Sequence, residues 1–175
     1  NLQLISSIMN MQIRNAKAHE TKAVLRRVQD RVLSLATIHR DLYQSQDGGR
    51  VNVGNLVVEI VEKSVELVIG EGRNLDLEMQ IDPVMLYPDQ AVPLSLIVSE
   101  AATNAMKYIG DQPDKTNTLD VRLKQDGTAC LLVMTNSVGP TLDQESTGLG
   151  SKLMTAFAVQ LGGKIDIETS AERYA

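Results

Sequence analysis

The sequence predicts an α+β protein: an antiparallel two-helix hairpin, followed by a sandwich in which helices cover one face of a mixed sheet. Three observations predict it. Leu25, Val28, Val32, Leu35, His39 and Leu42 are spaced 3, 4, 3, 4, 3, a heptad seam within a helix over 20–44. Leu75-Asp76-Leu77-Glu78-Met79-Gln80-Ile81 alternates strictly between apolar and polar, as a half-buried strand does. From Gly49 onward, helical periods and alternating runs succeed one another in the order helix, strand, helix, two strands, loop, helix, strand.

Each element has its own reason. Leu2, Ile5 and Met9 begin a first helix with a second stripe at Leu4, Ile8 and Met11, so it is apolar on two sides and needs more than one partner. The short polar link 15–19 folds it back on the second helix. A lone hairpin would leave this surface uncovered, so residues 2–44 are expected to pair with a second copy as a homodimeric four-helix bundle. Asp47-Gly48-Gly49 breaks the pattern and separates a domain at 1–46 from one at 50–175.

In the second domain Val53–Ile69 reads as a helix with Leu56, Val57, Ile60, Ser64, Leu67 and Val68 on its buried side. Pro88 and Pro93 bracket the start of the next helix, since proline suits a first turn and not an interior. That helix buries Leu94, Ile97, Val98, Ala101 and Ala105, and turns Glu100, Asn104 and Lys107 to another face. Residues 119–125 and 128–135 read as strands joined at Asp126-Gly127. Residues 136–147 read as a loop, a helix runs from Gly148 through Leu161 to the stop at Gly162-Gly163, and 164–169 reads as a final strand with one more beginning at Tyr174.

Composition excludes several classes. Hydrophobic residues make up 43% and charged residues 22%, the balance of a globular chain with an aliphatic core. No apolar run approaches the ~20 residues of a membrane span. One cysteine, Cys130, allows no internal disulfide and suits a reducing, cytoplasmic setting. A net charge of −5 argues against nucleic acid as the main partner. The first and last residues sit within unfinished patterns, as expected of a piece of a longer protein.

Two motifs bear chemistry. A carboxylate, an amide and an ammonium in one row (Glu100, Asn104, Lys107) suit a metal ion and the phosphates it carries, although the same row also describes a solvated face with a Glu–Lys pair. Gly148-Leu149-Gly150 at a helix mouth suits an anion, because unpaired N–H groups lie there at the positive end of the dipole and glycine lets a phosphate approach. Alone it describes a loop-to-helix joint equally well.

Taken together and in order, the Glu-x-x-x-Asn helix, the polar loop and the Gly-x-Gly helix start resemble the nucleotide-binding domain shared by histidine kinases, gyrase, heat-shock chaperone ATPases and MutL. The fuller resemblance is to sensor histidine kinases. Residues 99–108 resemble their N box and 147–154 the G box of their ATP lid. Residues 31–43 resemble the second dimerisation helix of the subfamily with an HRxxN-type acceptor, close to the HWE kinases, and 1–7 resemble the residues just after its phosphoacceptor. The resemblance implies that Asn104 coordinates the Mg²⁺ bridging the phosphates of ATP, and that Glu100 polarises the attacking group or a water. It also implies that Lys107 contacts phosphate, Tyr108 borders the nucleotide, and Thr147, Gly148, Leu149, Gly150 and Ser151 cradle phosphates. The implied partners are a second copy and a response regulator receiver domain, whose Asp takes the phosphoryl group.

The chain departs from the family in two places. The adenine-reading box normally carries an Asp followed by glycines. Here Asn136 takes that position with Gly139 after it, and a one-residue shift would put Thr135 there. An amide still accepts a hydrogen bond but loses the charge-assisted part, of order 1 kcal/mol. The acceptor histidine is expected before the residue that matches Asn1, outside this chain. His39 lies on the heptad seam and reads as a packed core residue, His19 lies at the inter-helix turn, and neither is expected to be phosphorylated. Two other readings stay open: a phosphotransfer or docking module whose nucleotide site has decayed, and a serine kinase of the anti-sigma-factor type, against which stands the long heptad hairpin.

Overall fold

A computed structural model describes residues 49–69, 74–109, 116–138, 149–168 and 173–174. The chain divides into two compact units, Asn1–Arg50 and Val51–Ala175. The expected hairpin, its dimer seam, His19 and His39 lie outside the described residues, which belong almost entirely to the second unit.

That unit opens with β1 (Val51–Asn52) and α1 (Val53–Ile69). Asn52 caps the helix, its Oδ1 accepting the Gly54 N–H at 3.0 Å. The helix has the bounds its periodicity gives, with its buried face rotated from the expected one. Val53, Leu56, Val57, Val61 and Val65 are buried, whereas Ile60 and Ser64 are only half-buried. Ser64 instead turns its hydroxyl back to the Ile60 carbonyl at 2.8 Å.

Strand β2 (Leu75–Ile81) alternates half-buried and exposed residues along its whole length, as its sequence requires. After it, β3 (Met85–Leu86) pairs antiparallel with β1, two strands too short to leave a period in the sequence. Helix α2 (Pro88–Tyr108) then starts at the first proline and runs straight through the second. Pro93 is a correction to the expected bracket: it is buried inside the helix, where it removes one N–H from the ladder. Its place in the second turn and its burial beside Leu94 make that loss tolerable.

Strands β4 (Asn117–Asp126) and β5 (Ala129–Ser137) form the centre of a four-stranded sheet of order β2-β4-β5-β6, where β6 is Arg173–Tyr174. Strand β2 runs parallel to β4; the β4–β5 and β5–β6 pairs are antiparallel. The turn between β4 and β5 is Gly127-Thr128, one residue later than expected, since Asp126 is already paired with Ala129. Gly127 has φ +59° and no other residue of the turn has positive φ, which is the pattern of a II′ turn with glycine first. Both strands also reach further than expected: Asn117 and Thr118 belong to β4, and Asn136 and Ser137 belong to β5 rather than to the following loop.

Helix α3 (Leu149–Gln160) closes in a Schellman motif. Gly162 at φ +73° donates to the Val159 carbonyl at 3.0 Å, and the Gly163 N–H donates to the Ala158 carbonyl at 2.8 Å. Residues 164–168 are a second correction, for they join no ladder despite their alternation. Lys164 and Asp166 pair across one exposed face at 2.7 Å, and only Ile165 reaches the core. The expected strand at Tyr174 is present as β6.

Helices α1 and α2 pack together, and α2 also lies against α3 and β5. The inward residues of β4, namely Asn117, Leu119, Val121 and Leu123, are all buried beneath them. Among the described residues no helix is long and apolar enough to cross a membrane.

Candidate nucleotide site

Helix α2 carries two faces that meet different neighbours. Ala91, Leu94, Ser95, Val98, Ala102, Ala105 and Ile109 are buried in the core. A second row, Ile97–Ala101–Asn104–Tyr108, is spaced 4, 3, 4 and therefore runs down one side of the helix. The first half of this row is apolar and covered: Ile97 joins Met154 and Ala158 of α3, with Ala101, Leu132 and Phe157 packed around them. In its second half the row turns polar, and Asn104 and Tyr108 are half-buried. The amide of Asn104 thus continues the seam along which α3 is docked.

Beside that row lies Glu100, only 7% exposed. An ionisable side chain buried to that degree is uncommon outside ion pairs and functional sites. Lys107 ends the same side of the helix, its Nζ 5.2 Å from the centre of the Tyr108 ring, within cation–π distance. The three residues Glu100, Asn104 and Lys107 do share one side of α2, as their spacing requires.

The other contributor is the end of the sheet at which α2 returns to it. There the inward-facing positions change from aliphatic to amide: Asn117 and Asn136 are 5% and 1% exposed. Asn136 stands opposite Leu119 on one side and Tyr174 on the other. Its Nδ2 donates to the Ser137 carbonyl at 2.8 Å. Asn117 donates from Nδ2 to the Asn74 carbonyl at 3.2 Å, tying β4 to the start of β2. The Thr118 N–H donates to Ser137 Oγ at 3.0 Å. The sequence begins this strand only at Leu119 and gives Asn117, Thr118 and Ser137 no role of their own; no local pattern marks them, because their bonds come from the ladder.

Gly150 and Ser151 are half-buried in the first turn of α3, and the Ser151 carbonyl accepts the Thr155 hydroxyl at 2.9 Å. Leu149 is the first residue of that helix. Gly139, Thr147 and Gly148 lie outside the described residues. Thr135, the alternative to Asn136, is on the opposite face of β5, paired with Asp120 rather than turned to the helices. Cys130 lies at the far, exposed end of β5, and partial desolvation raises its thiol pKa, away from that of an activated nucleophile.

No group of three or more His, Cys, Asp or Glu gathers as a metal cage among the described residues. One amide oxygen beside a bound polyphosphate is nevertheless a donor set that suits Mg²⁺, which keeps waters and takes few protein ligands.

The mixed sheet covered by helices is a fold shared with histidine kinase catalytic domains. Residues 1–68 match the histidine kinase family. The chain is 24% identical over 183 aligned positions to the sensor histidine kinase PdtaS of Mycobacterium tuberculosis, covering 99% of this chain and 35% of that one. It therefore spans about a third of the length of the curated relatives it matches. Among solved structures, the histidine kinase domain of the blue-light-activated kinase of Erythrobacter litoralis aligns at a TM-score of 0.66 and 16% identity, covering 98% of this chain and 93% of that one. AdeS of Acinetobacter baumannii aligns at 0.55 and 15%, over 99% and 91%. The catalytic domain of ThkA aligns at 0.55 and 14%, over 71% and 90%. At these identities the structures speak for the fold. Residues 1–68 thus carry the match to the histidine kinase family, and the likeness of the whole chain to the solved kinases is one of fold.

Proposed function

We propose that this chain is the catalytic core of a histidine kinase in a two-component system. It binds Mg-ATP between α2 and the start of α3 and passes the γ-phosphoryl group to a histidine carried on a helix. An aspartate of a response regulator receiver domain is the next acceptor. The observation that carries this reading is the Ile97–Ala101–Asn104–Tyr108 row, whose apolar half docks α3 and whose polar half offers Asn104 beside the buried Glu100. Phosphoryl transfer asks a protein for positioning and charge stabilisation more than for covalent chemistry, and this site is built of such parts. When bound, Mg²⁺ held by Asn104 would neutralise charge on the phosphates. Glu100 would orient the attacking group, Lys107 would attract the phosphates, and Gly150 and Ser151 would approach them at the helix start, next to Thr147, Gly148 and Leu149. Residues 2–44 would hold two copies together, in the cytoplasm.

The test is calorimetric titration of the chain and of Asn104→Ala with ATP, with and without Mg²⁺. The variant should bind at least about tenfold more weakly, some 1.4 kcal/mol, with Mg²⁺ present and like the parent without it. Equal affinities in Mg²⁺ would favour the second reading, a docking module with a decayed nucleotide site. The amide at Asn136, where the family has an acid, is the observation on that side.

A further inference from the structure

Strand β2 is an edge of the four-stranded sheet, paired on one side with β4. Its main-chain groups divide by parity. The Asp82 N–H donates to the Leu123 carbonyl at 2.9 Å, and the Asn74 carbonyl accepts the Asn117 N–H at 3.3 Å, so even-numbered residues address β4. The N–H and C=O groups of Leu75, Leu77, Met79 and Ile81 point to the open side, where among the described residues they meet no hydrogen-bond partner. Sheet edges are commonly blunted by lysine, proline, a bulge or shortness. Strand β2 has none of these: its seven residues keep unbroken register with β4, and its charges are the acids Asp76 and Glu78.

The apolar row is unfinished at the same edge. Leu119, Val121 and Leu123 are 1%, 0% and 0% exposed, whereas their ladder partners Leu77, Met79 and Ile81 are only half-buried. One more strand would cover them. On the opposite face Asp76 and Glu78 are exposed, and Asp120 beside Glu78 is already paired with Arg122 at 2.6 Å. A second copy is the wrong occupant. Antiparallel registers centred on Leu77, Glu78 or Met79 set Asp76 against Glu78, Glu78 against itself, or Asp76 against Asp82, and like charges directly opposite destabilise a ladder.

We infer that the free edge of β2 is a strand-addition site for an extended segment of another protein that alternates apolar and basic residues. The apolar side chains of that segment continue the Leu75–Ile81 row, and its cations face Asp76 and Glu78. Main-chain bonds to Leu77 and Met79 supply affinity, and the two acids select the segment by charge.

The test is a nuclear magnetic resonance titration of the full chain with a heptapeptide alternating valine and lysine. Amide exchange at Leu77 and Met79 should slow on binding, while that at Glu78 and Gln80, which address β4, stays as it was. Replacing lysine by glutamate in the peptide, or N-methylating the residues that donate to β2, should weaken binding at least about fivefold. In the double variant Asp76→Lys, Glu78→Lys the preference should invert towards the glutamate peptide. Binding that leaves Leu77 and Met79 unprotected, equal affinity for the three peptides, or no binding overturns the inference. Protection of these amides in the chain alone, growing with its concentration, also overturns it, since a second copy would then be the occupant. Should the double variant not fold, the order of the peptides on the parent chain decides.

Discussion

The two ends of the β4–β5 ladder share strands and register, yet they are held by different forces. At the Gly127-Thr128 end every residue from Lys124 to Leu131 is exposed, and the pairing is shaped by one glycine at φ +59°. At the other end Asn117, Leu119 and Asn136 are buried; the Ser137 hydroxyl joins β5 to β4, the Asn117 amide ties β4 to the residue before β2, and the Asn136 amide bonds within its own strand. Near the turn the Gln125 N–H donates to Asp82 Oδ2 at 3.0 Å and Gln125 Nε2 donates to the Gly127 carbonyl at 3.1 Å, but these groups are exposed and water can replace either partner. Beneath the helices nothing but the protein can satisfy polar groups, so each must be placed. The candidate site lies at the second end, where preorganised polar groups cost the most to build and act with the least reorganisation.

Substitutions along the ladder sharpen this contrast. Leu119→Ala, at a position 1% exposed opposite Asn136, should cost about 2–5 kcal/mol, read from the midpoint of urea unfolding. Asn117→Ala should cost about 0.5–1.5 kcal/mol, because the Asn74 carbonyl loses its side-chain donor and keeps only the Asn117 N–H at 3.3 Å; hydrogen exchange should quicken at the start of β2 and not at the turn. Gly127→Ala forces a side chain into left-handed backbone, at about 1 kcal/mol, and leaves nucleotide affinity unchanged. A loss as large as that of Leu119→Ala would mean that the turn is not locally determined. Leu131→Ser, at 62% exposure, should change stability by no more than about 0.5 kcal/mol in thermal unfolding. A larger change would show the exposed end to be covered in solution.

The same contrast governs what could be read from the residues. Strand β2, the bounds of α1 and the Gly162-Gly163 stop were legible because each depends on a period or on one residue's backbone freedom. Residues 164–168 alternate as clearly as β2 does, yet they pair with nothing, because alternation states which residues could face a core and not whether a partner strand is present. Pro93 shows the converse, a local rule yielding to burial in the helix it was expected to bound.

For the candidate site, spacing alone put Glu100, Asn104 and Lys107 on one side of a helix, and the nature of the side chains suggested phosphates and a metal. It could not show that Glu100 would be buried, that the Asn104 row would continue the seam that docks α3, or that Asn117 and Ser137 would brace the sheet end where Asn136 lies. The sequence by itself determined periods, caps and turns, because these arise from interactions among residues a few positions apart. Tertiary structure alone decided which polar groups lost their water, because desolvation depends on what packs above a residue from distant parts of the chain.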